Sequence, residues 1–400
     1  MGRKPALWTK DFILVSISNF LLFISFYMLM VTMAVYSINN FHASESQAGF
    51  AASIFVLGAV LVRPIAGKII NTVGKKKLLV IGLAFFLGMT LLYFPIQNLS
   101  LLFLIRFIHG FSFGISTTAA GTIAAEIIPS ARRGEGMGYF STSMNLAMAI
   151  GPFLGLIINQ YFQGMMIFAV TSIFAVIALV TSLLLQVPEL KTENIAVKKG
   201  FRFSDYFEKT TVPIGILMAL MGLVYSSILT YLSTYAIEIN LVDAASFFFV
   251  MYAVFLLLSR PITGKMFDIK GENAVIYPSI LLFGVGLYIL SQSTIGITLL
   301  IAGAVIGVGF GTLQSSAQTI AINQAPRHRV GLVTATYFVF FDLGVGVGPL
   351  LLGYLLPLTG YRGLYVTMAI VVFSSILIYY FVHGKKAAGR GKEAWESGTG

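Results

Sequence analysis

Twelve stretches of this chain are nearly free of charge and long enough to cross a bilayer. That pattern restricts what the chain can fold into more than any other feature. A helix rising ~1.5 Å per residue needs about 20 apolar residues to span a hydrocarbon core of ~30 Å. The runs fall near 12–36, 47–67, 78–97, 100–124, 136–159, 164–186, 212–236, 245–266, 274–292, 295–320, 331–356 and 361–382. Only 10% of residues are charged, against roughly 25% in an average soluble domain. The expected fold is therefore an all-α integral membrane protein of twelve transmembrane helices. The first run, Phe12–Tyr36, exceeds a signal-peptide core and lacks a small-residue cleavage site, so it is expected to remain as a helix.

The longest polar segment, Pro188 to Thr211, separates six runs from six. It predicts an N-terminal bundle over 1–187, a cytoplasmic linker over 188–211, a C-terminal bundle over 212–384 and a disordered cytoplasmic tail over 385–400. Lys68, Lys75, Lys76, Lys77, Arg132, Arg133, Lys265, Lys270, Arg327 and Arg329 fall on the side of the N-terminus, whereas Glu45, Glu238 and Asp243 fall on the other. The positive-inside rule then places both termini in the cytoplasm of a multi-pass cell-membrane protein. Of the 26 basic residues, only Arg362 reads as outer and only Arg106 as deep within a helix. The net charge of +11 is thus a topology signal, and no nucleic-acid partner is expected. The chain has no cysteine, and His42, His109, His328 and His383 show no metal-ligand spacing. Without a nucleophile–base pair, a metal cluster or a nucleotide loop, neither an enzyme nor a cofactor is expected. The expected partners are a small-molecule substrate, protons and the lipid bilayer, and the expected state is a monomer.

An internal repeat carries the architecture further. At a constant offset of 197 residues, Arg63-Pro64-Ile65-Ala66-Gly67-Lys68 falls on Arg260-Pro261-Ile262-Thr263-Gly264-Lys265. Gly74 then falls on Gly271, Gly110 on Gly307, and Gly151-Pro152 on Gly348-Pro349. Across 63–152 against 260–349 there are 21 identities in 90 positions. Shared apolar bias does not place Arg, Pro and Gly at one offset. The halves are predicted to be two pseudo-symmetric six-helix bundles of parallel topology, related by an axis along the membrane normal.

These residues resemble the major facilitator superfamily, and within it the twelve-helix drug:proton antiporter branch, over about residues 10 to 385. The superfamily signature Gly-x-x-x-Asp-x-x-Gly, followed by basic residues, is similar to Gly67 to Lys77, with Asn71 in place of the aspartate; the second copy keeps it as Asp268. The antiporter signature of helix 5 is similar to Asn145 to Pro152, and the helix 4 signature Arg-x-x-Gln-Gly appears as Arg106 to Gly110, with His109 replacing glutamine. The resemblance implies a major facilitator fold with a cavity lined by helices 1, 4, 7 and 10.

The candidates for proton coupling are Asp342, Arg106 and His109, with Asp342 first and His109 included because an imidazole titrates near working pH. Asp342 is a lone carboxylate within Thr334–Gly353, roughly 16 Å along the helix from Gly331 at ~1.5 Å per residue. A charge at that depth is expensive and usually functional. Its repeat partner is Asn145, so only the second half is ionisable there. The competing reading is a packing carboxylate held permanently by a neighbour. Arg106 and His109 share a face of helix 4 one turn apart. The resemblance implies a part for the arginine in proton release, with Asn19 as a neutral partner. An inner gate is expected from Asn71, Lys75, Glu126, Arg132, Asp268 and Arg329. A substrate cavity is expected from Asn19, Phe26, Tyr27, Phe113, Asn145, Tyr225, Tyr231, Gln314 and Gln318, an aromatic set suited to amphipathic molecules.

The sequence therefore points to a proton-coupled secondary transporter that exports small amphipathic compounds or drugs by alternating access. Two alternatives stay open: an exporter of one metabolite, such as a metallophore, siderophore or sugar, and a membrane sensor or lipid flippase.

Overall fold

A computed structural model describes residues 5–43, 45–162, 165–187, 205–326 and 329–387. The linker over 188–204, the tail from 388, and Arg327 and His328 lie outside the described residues. The helices are α1 (Lys10–Phe41), α2 (Glu45–Val73), α3 (Lys75–Leu91), α4 (Leu99–Ile127), α5 (Arg133–Tyr161) and α6 (Met165–Leu183), then α7 (Val212–Glu238), α8 (Val242–Lys270), α9 (Glu272–Ser291), α10 (Gly296–Asn323) and α11 (Val330–Tyr379). Gly360 breaks α11 at φ 63°, so the described residues contain twelve helical segments. Ten of these stretches are long and apolar enough to cross a membrane. The two others are α3, of 17 residues, and α5, which carries Ser141, Thr142, Ser143 and Asn145 along its middle. Residues 385–387, assigned by the sequence to the tail, are helical.

Local chemistry sets the breaks. Asn98 caps α4, its Oδ1 accepting from the Leu101 N–H at 2.8 Å, which satisfies one of the donors orphaned at a helix start. Gly74 and Gly271 turn α2 into α3 and α8 into α9 at φ 91° and 82°. That is backbone a side chain adopts only under strain. They are repeat partners, so the two halves reverse direction by the same device.

Helices α1 to α6 pack together, as do α7 to α11. Close contact inside each half needs a missing side chain: a Cβ at Gly110 would stand 2.0 Å from the Phe55 carbonyl oxygen, and one at its repeat partner Gly307 2.3 Å from that of Tyr252. The halves meet mainly where α2 lies against α11 and α5 against α8, with α10 on α5 and α4 on α11 as flanking contacts. Apolar side chains such as Leu61, Ile173, Leu258 and Ile262 are exposed on the perimeter, as suits a lipid-facing surface.

One reading of the basic residues needs correction. Arg106 is not the only arginine deep in a helix: Arg63 and Arg260 are 0% and 2% exposed. Helices α2 and α8 continue to Val73 and Lys270, which sets these arginines roughly 15 Å inside the basic end at ~1.5 Å per residue.

Candidate substrate and proton site

Asp342 projects from the middle of α11 onto α2 and meets Arg63. The Arg63 Nε and Nη2 donate to Asp342 Oδ2 at 2.9 and 2.7 Å, and Nη1 donates to Thr117 Oγ1 on α4 at 2.9 Å. The guanidinium also lies over the Phe338 ring, 4.7 Å from its centroid, a face that attracts cations. This ion pair joins the two bundles. Asp342 is no isolated carboxylate: its partner is Arg63, a second arginine deep within a helix.

The same carboxylate borders a small cavity. Phe23, Phe26, Tyr27, Phe55, Phe113 and Phe341 surround it, and about 10 Å³ remains open, the space of roughly one water. The rings interlock: Phe26 stacks on Phe113 at 5.1 Å, and Phe23 meets Phe113 edge-on at 5.1 Å. Of the predicted cavity residues, Phe26, Tyr27 and Phe113 line this space.

The others sit elsewhere. Asn19 donates to Ser143 Oγ at 2.8 Å and so pairs with α5, not with Arg106. Tyr225 stacks on Phe310 with centroids 4.1 Å apart. Tyr231 donates to the Pro349 carbonyl at 3.0 Å. Asn145 accepts from the Tyr252 hydroxyl at 3.4 Å, Gln318 accepts from Ser141 at 3.2 Å, and Gln314 lies 3.9 Å from the Met144 sulfur. The last three contacts cross between the bundles.

Arg106 and His109 are both fully buried but do not act as a pair aimed at Asp342. Arg106 Nε donates to the Ala51 carbonyl at 3.0 Å, its guanidinium lies over Phe55, and it touches the Tyr93 side chain. It ties α4 to α2. The His109 ring lies 2.9 Å from the Tyr93 hydroxyl and 3.3 Å from Thr90 Oγ1, one through each nitrogen, and packs on Phe86. That is the arrangement of a satisfied core histidine.

At the basic end the predicted gate residues divide. Lys75 pairs with Glu126 at 2.6 Å, Arg132 with Glu135 at 2.9 Å and Arg329 with Glu208 at 2.6 Å. The first two pairs lie within the first half and the third ties Glu208, ahead of α7, to the start of α11. The hydrogen-bonded Glu135 carboxylate holds the Arg132 guanidinium more firmly protonated than an ordinary arginine, with a smaller contribution from the nearby charge of Asp268. Asp268 is the member whose contacts cross: its carboxylate accepts from the Gly134 and Glu135 N–H groups at 2.8 and 3.1 Å. It thereby caps α5 from the other bundle, where a carboxylate also complements the helix dipole. Arg133 adds a crossing bond to Asn323 at 3.2 Å. Asn71 sits half-buried near the end of α2, whose Gly67 and Ile70 touch the start of α11 at Gly331. These crossings run from the midplane to the basic end.

Comparison with known proteins places the architecture. The family model described as Major Facilitator Superfamily matches residues 15–268 and 241–399. An uncharacterized MFS-type transporter of Methanocaldococcus jannaschii is 26% identical, over 84% of this chain and 89% of its own length. The multi-drug resistance efflux pump PmrA of Streptococcus pneumoniae is 24% identical, over 82% of this chain and 84% of its own. The crystal structure of a human organic anion transporter, TETRAN, superposes with a TM-score of 0.77 at 14% identity, covering 95% of this chain and 100% of that one. With two repeated bundles joined by a buried ion pair, and a family model spanning nearly the whole sequence, this chain belongs to the Major Facilitator Superfamily of membrane transporters.

Proposed function

We propose that the chain is a proton-coupled exporter of small amphipathic compounds, working by alternating access as a monomer with its basic end in the cytoplasm. The observation that carries this is the Arg63–Asp342 pair, which bridges the two bundles at the wall of an aromatic cavity. The moving bodies are 1–187 and 212–384, joined by the linker 188–211. The excess of basic residues at one end supports the orientation, and the efflux-pump name of the pneumococcal relative supports export.

The ion pair supplies the coupling. While Asp342 is ionised, Arg63 holds α2 on α11, and the Asp268 cap and the Arg133–Asn323 bond keep the cytoplasmic end shut. A proton arriving from outside removes the negative charge and leaves Arg63 with Thr117 and two aromatic faces. The pairing that favoured the inner-closed state is lost, and the equilibrium shifts toward opening inward. A proton shifts such an equilibrium only through its different affinity for the two states. Asp342 provides that difference because its cationic partner sits on the other bundle. Release of the proton inside and uptake of substrate restore the pair and return the carrier outward. Arg106 acts at one remove, by fixing α2 against α4.

The test is uphill transport of an amphipathic fluorescent dye, drawn from a cationic, neutral and carboxylate-bearing series, in proteoliposomes under an imposed pH gradient. Wild type is expected to accumulate the dye against its gradient, and Asp342→Asn to retain only downhill movement. Equal uphill transport by the variant would remove Asp342 from the coupling.

A further inference from the structure

Arg260 on α8 holds the place in the second half that Arg63 holds in the first. Its side chain is 2% exposed and faces α5 of the other bundle: a Cβ at Gly138 would stand 3.5 Å from Nη1. There the symmetry fails. Arg63 meets a carboxylate, whereas the repeat equivalent of Asp342 is Asn145, which binds Tyr252. Arg260 donates to neutral groups, the Ser315 hydroxyl and the Gly311 carbonyl at 3.0 Å. Its Nε has no hydrogen-bond partner among the described residues, and no carboxylate there forms an ion pair with it.

A guanidinium keeps its proton in effectively any surroundings. A buried charge without a counter-charge is costly, so proteins rarely keep one idle. The same α5–α8–α10 junction carries further open groups. The Asn145 Nδ2 and Gln318 Nε2 are buried N–H donors without partners, beside a buried acceptor at Gln314 Oε1. The flank is aromatic, with Tyr252 beside Tyr225 and Tyr225 stacked on Phe310. A cation, spare amide donors and flat apolar walls together are complementary to a carboxylate on an aromatic body. The junction is held by contacts between the two bundles, so parting them exposes it.

We infer that Arg260 receives its missing counter-ion from the substrate, so that the transported class is amphipathic molecules bearing a carboxylate. The carboxylate oxygens take the Arg260 fork and the Asn145 amide, and the apolar body lies along Tyr252 and the Tyr225–Phe310 stack. This rests on the transporter reading above and narrows its substrate class.

The test is equilibrium binding of radiolabelled 1-naphthoate to the purified protein in lipid nanodiscs, with no gradient present. Wild type is expected to bind it saturably, and neither 1-naphthamide nor 1-naphthylmethylammonium to displace it at equal concentration. Arg260→Gln is expected to weaken binding by about tenfold or more, the loss of at least one charge-assisted contact, and Arg260→Lys to fall between. Asn145→Asp guards against misfolding as the cause: it leaves Arg260 in place but gives it an internal carboxylate, and is expected to weaken naphthoate binding as well. No saturable binding by wild type, equal binding by Arg260→Gln and Asn145→Asp, or displacement by the amide as effective as by the acid would overturn the inference. Gradient-driven dye transport without a naphthoate site would sink this inference alone, and naphthoate binding without gradient-driven transport would sink the exporter reading alone.

Discussion

If the Arg63–Asp342 pair is the joint between the bundles, removing one member must cost far more than removing both. Arg63 is wholly buried, and its side chain loses two of its three polar contacts when the carboxylate goes. Leaving one member of a buried pair uncompensated costs about 3–5 kcal/mol. The Phe338 face, 4.7 Å away, remains and offsets about 1–2 kcal/mol of that. Asp342→Leu is therefore expected to lose about 1–4 kcal/mol of unfolding free energy. Arg63→Met is expected to lose less, about 1–3 kcal/mol, because the Asp342 side chain is 16% exposed beside the cavity and can take up water. The double variant Arg63→Met with Asp342→Leu replaces the pair by apolar groups, and its loss is expected to stay near about 1 kcal/mol. The assay is reversible unfolding of the four proteins in mixed micelles, read as a double-mutant cycle. Coupling of about 1–6 kcal/mol, the sum of the single losses less the double loss, supports the joint. Single losses that add to the double loss within about 0.5 kcal/mol would refute it.

Other perturbations separate neighbouring roles. Asp268→Ala removes the cap on α5 and two crossing bonds; a loss of about 1–2 kcal/mol and a wider gap at the basic end are expected, measured by unfolding and by spin-label distances. Glu126→Gln breaks a pair internal to the first bundle and is expected to leave that gap unchanged in the same distance measurement. Gly134→Cys with Phe267→Cys brings together positions whose Cβ atoms would stand 3.1 Å apart, a few tenths of an ångström shorter than a usual disulfide, so a slight parting of the helices seats the bond. Oxidation is expected to block transport and reduction to restore it, in a chain with no cysteine of its own. His109→Gln is expected to leave the pH profile of transport unaltered, because both ring nitrogens are held by hydroxyls; a displaced profile would return the histidine to proton handling.

Much of the architecture could be read from the sequence because membrane helices announce themselves by length, and a repeat at one offset leaves little freedom in topology. Asp342 was visible for the same reason, as a carboxylate in an apolar run. Arg63 and Arg260 were not. Each stands five residues before a lysine of the basic end, and ending α2 near residue 67 made both look like surface cations. Six further residues of helix, roughly 9 Å, carry Arg63 into the interior. An arginine at the same place in both repeats was the available signal. Partner choice was harder still. Lys75, Glu126, Arg132 and Arg329 lie at the end where a gate was expected, but which of them pair within a half and which cross is decided by contacts distant in sequence. Likewise Asn19 lay within reach of several polar groups, and only the packing of α1 on α5 selects Ser143.

The claim that Asp342 couples protonation to movement of the bundles is tested most directly by one distance. Spin labels on Thr72→Cys and Ile269→Cys, exposed positions near the basic ends of α2 and α8, report the gap between the halves by pulsed electron resonance. In wild type the distribution is expected to move to longer distances as pH falls, and in Asp342→Asn to hold the long distance at every pH. A variant that follows pH as wild type does would contradict the account.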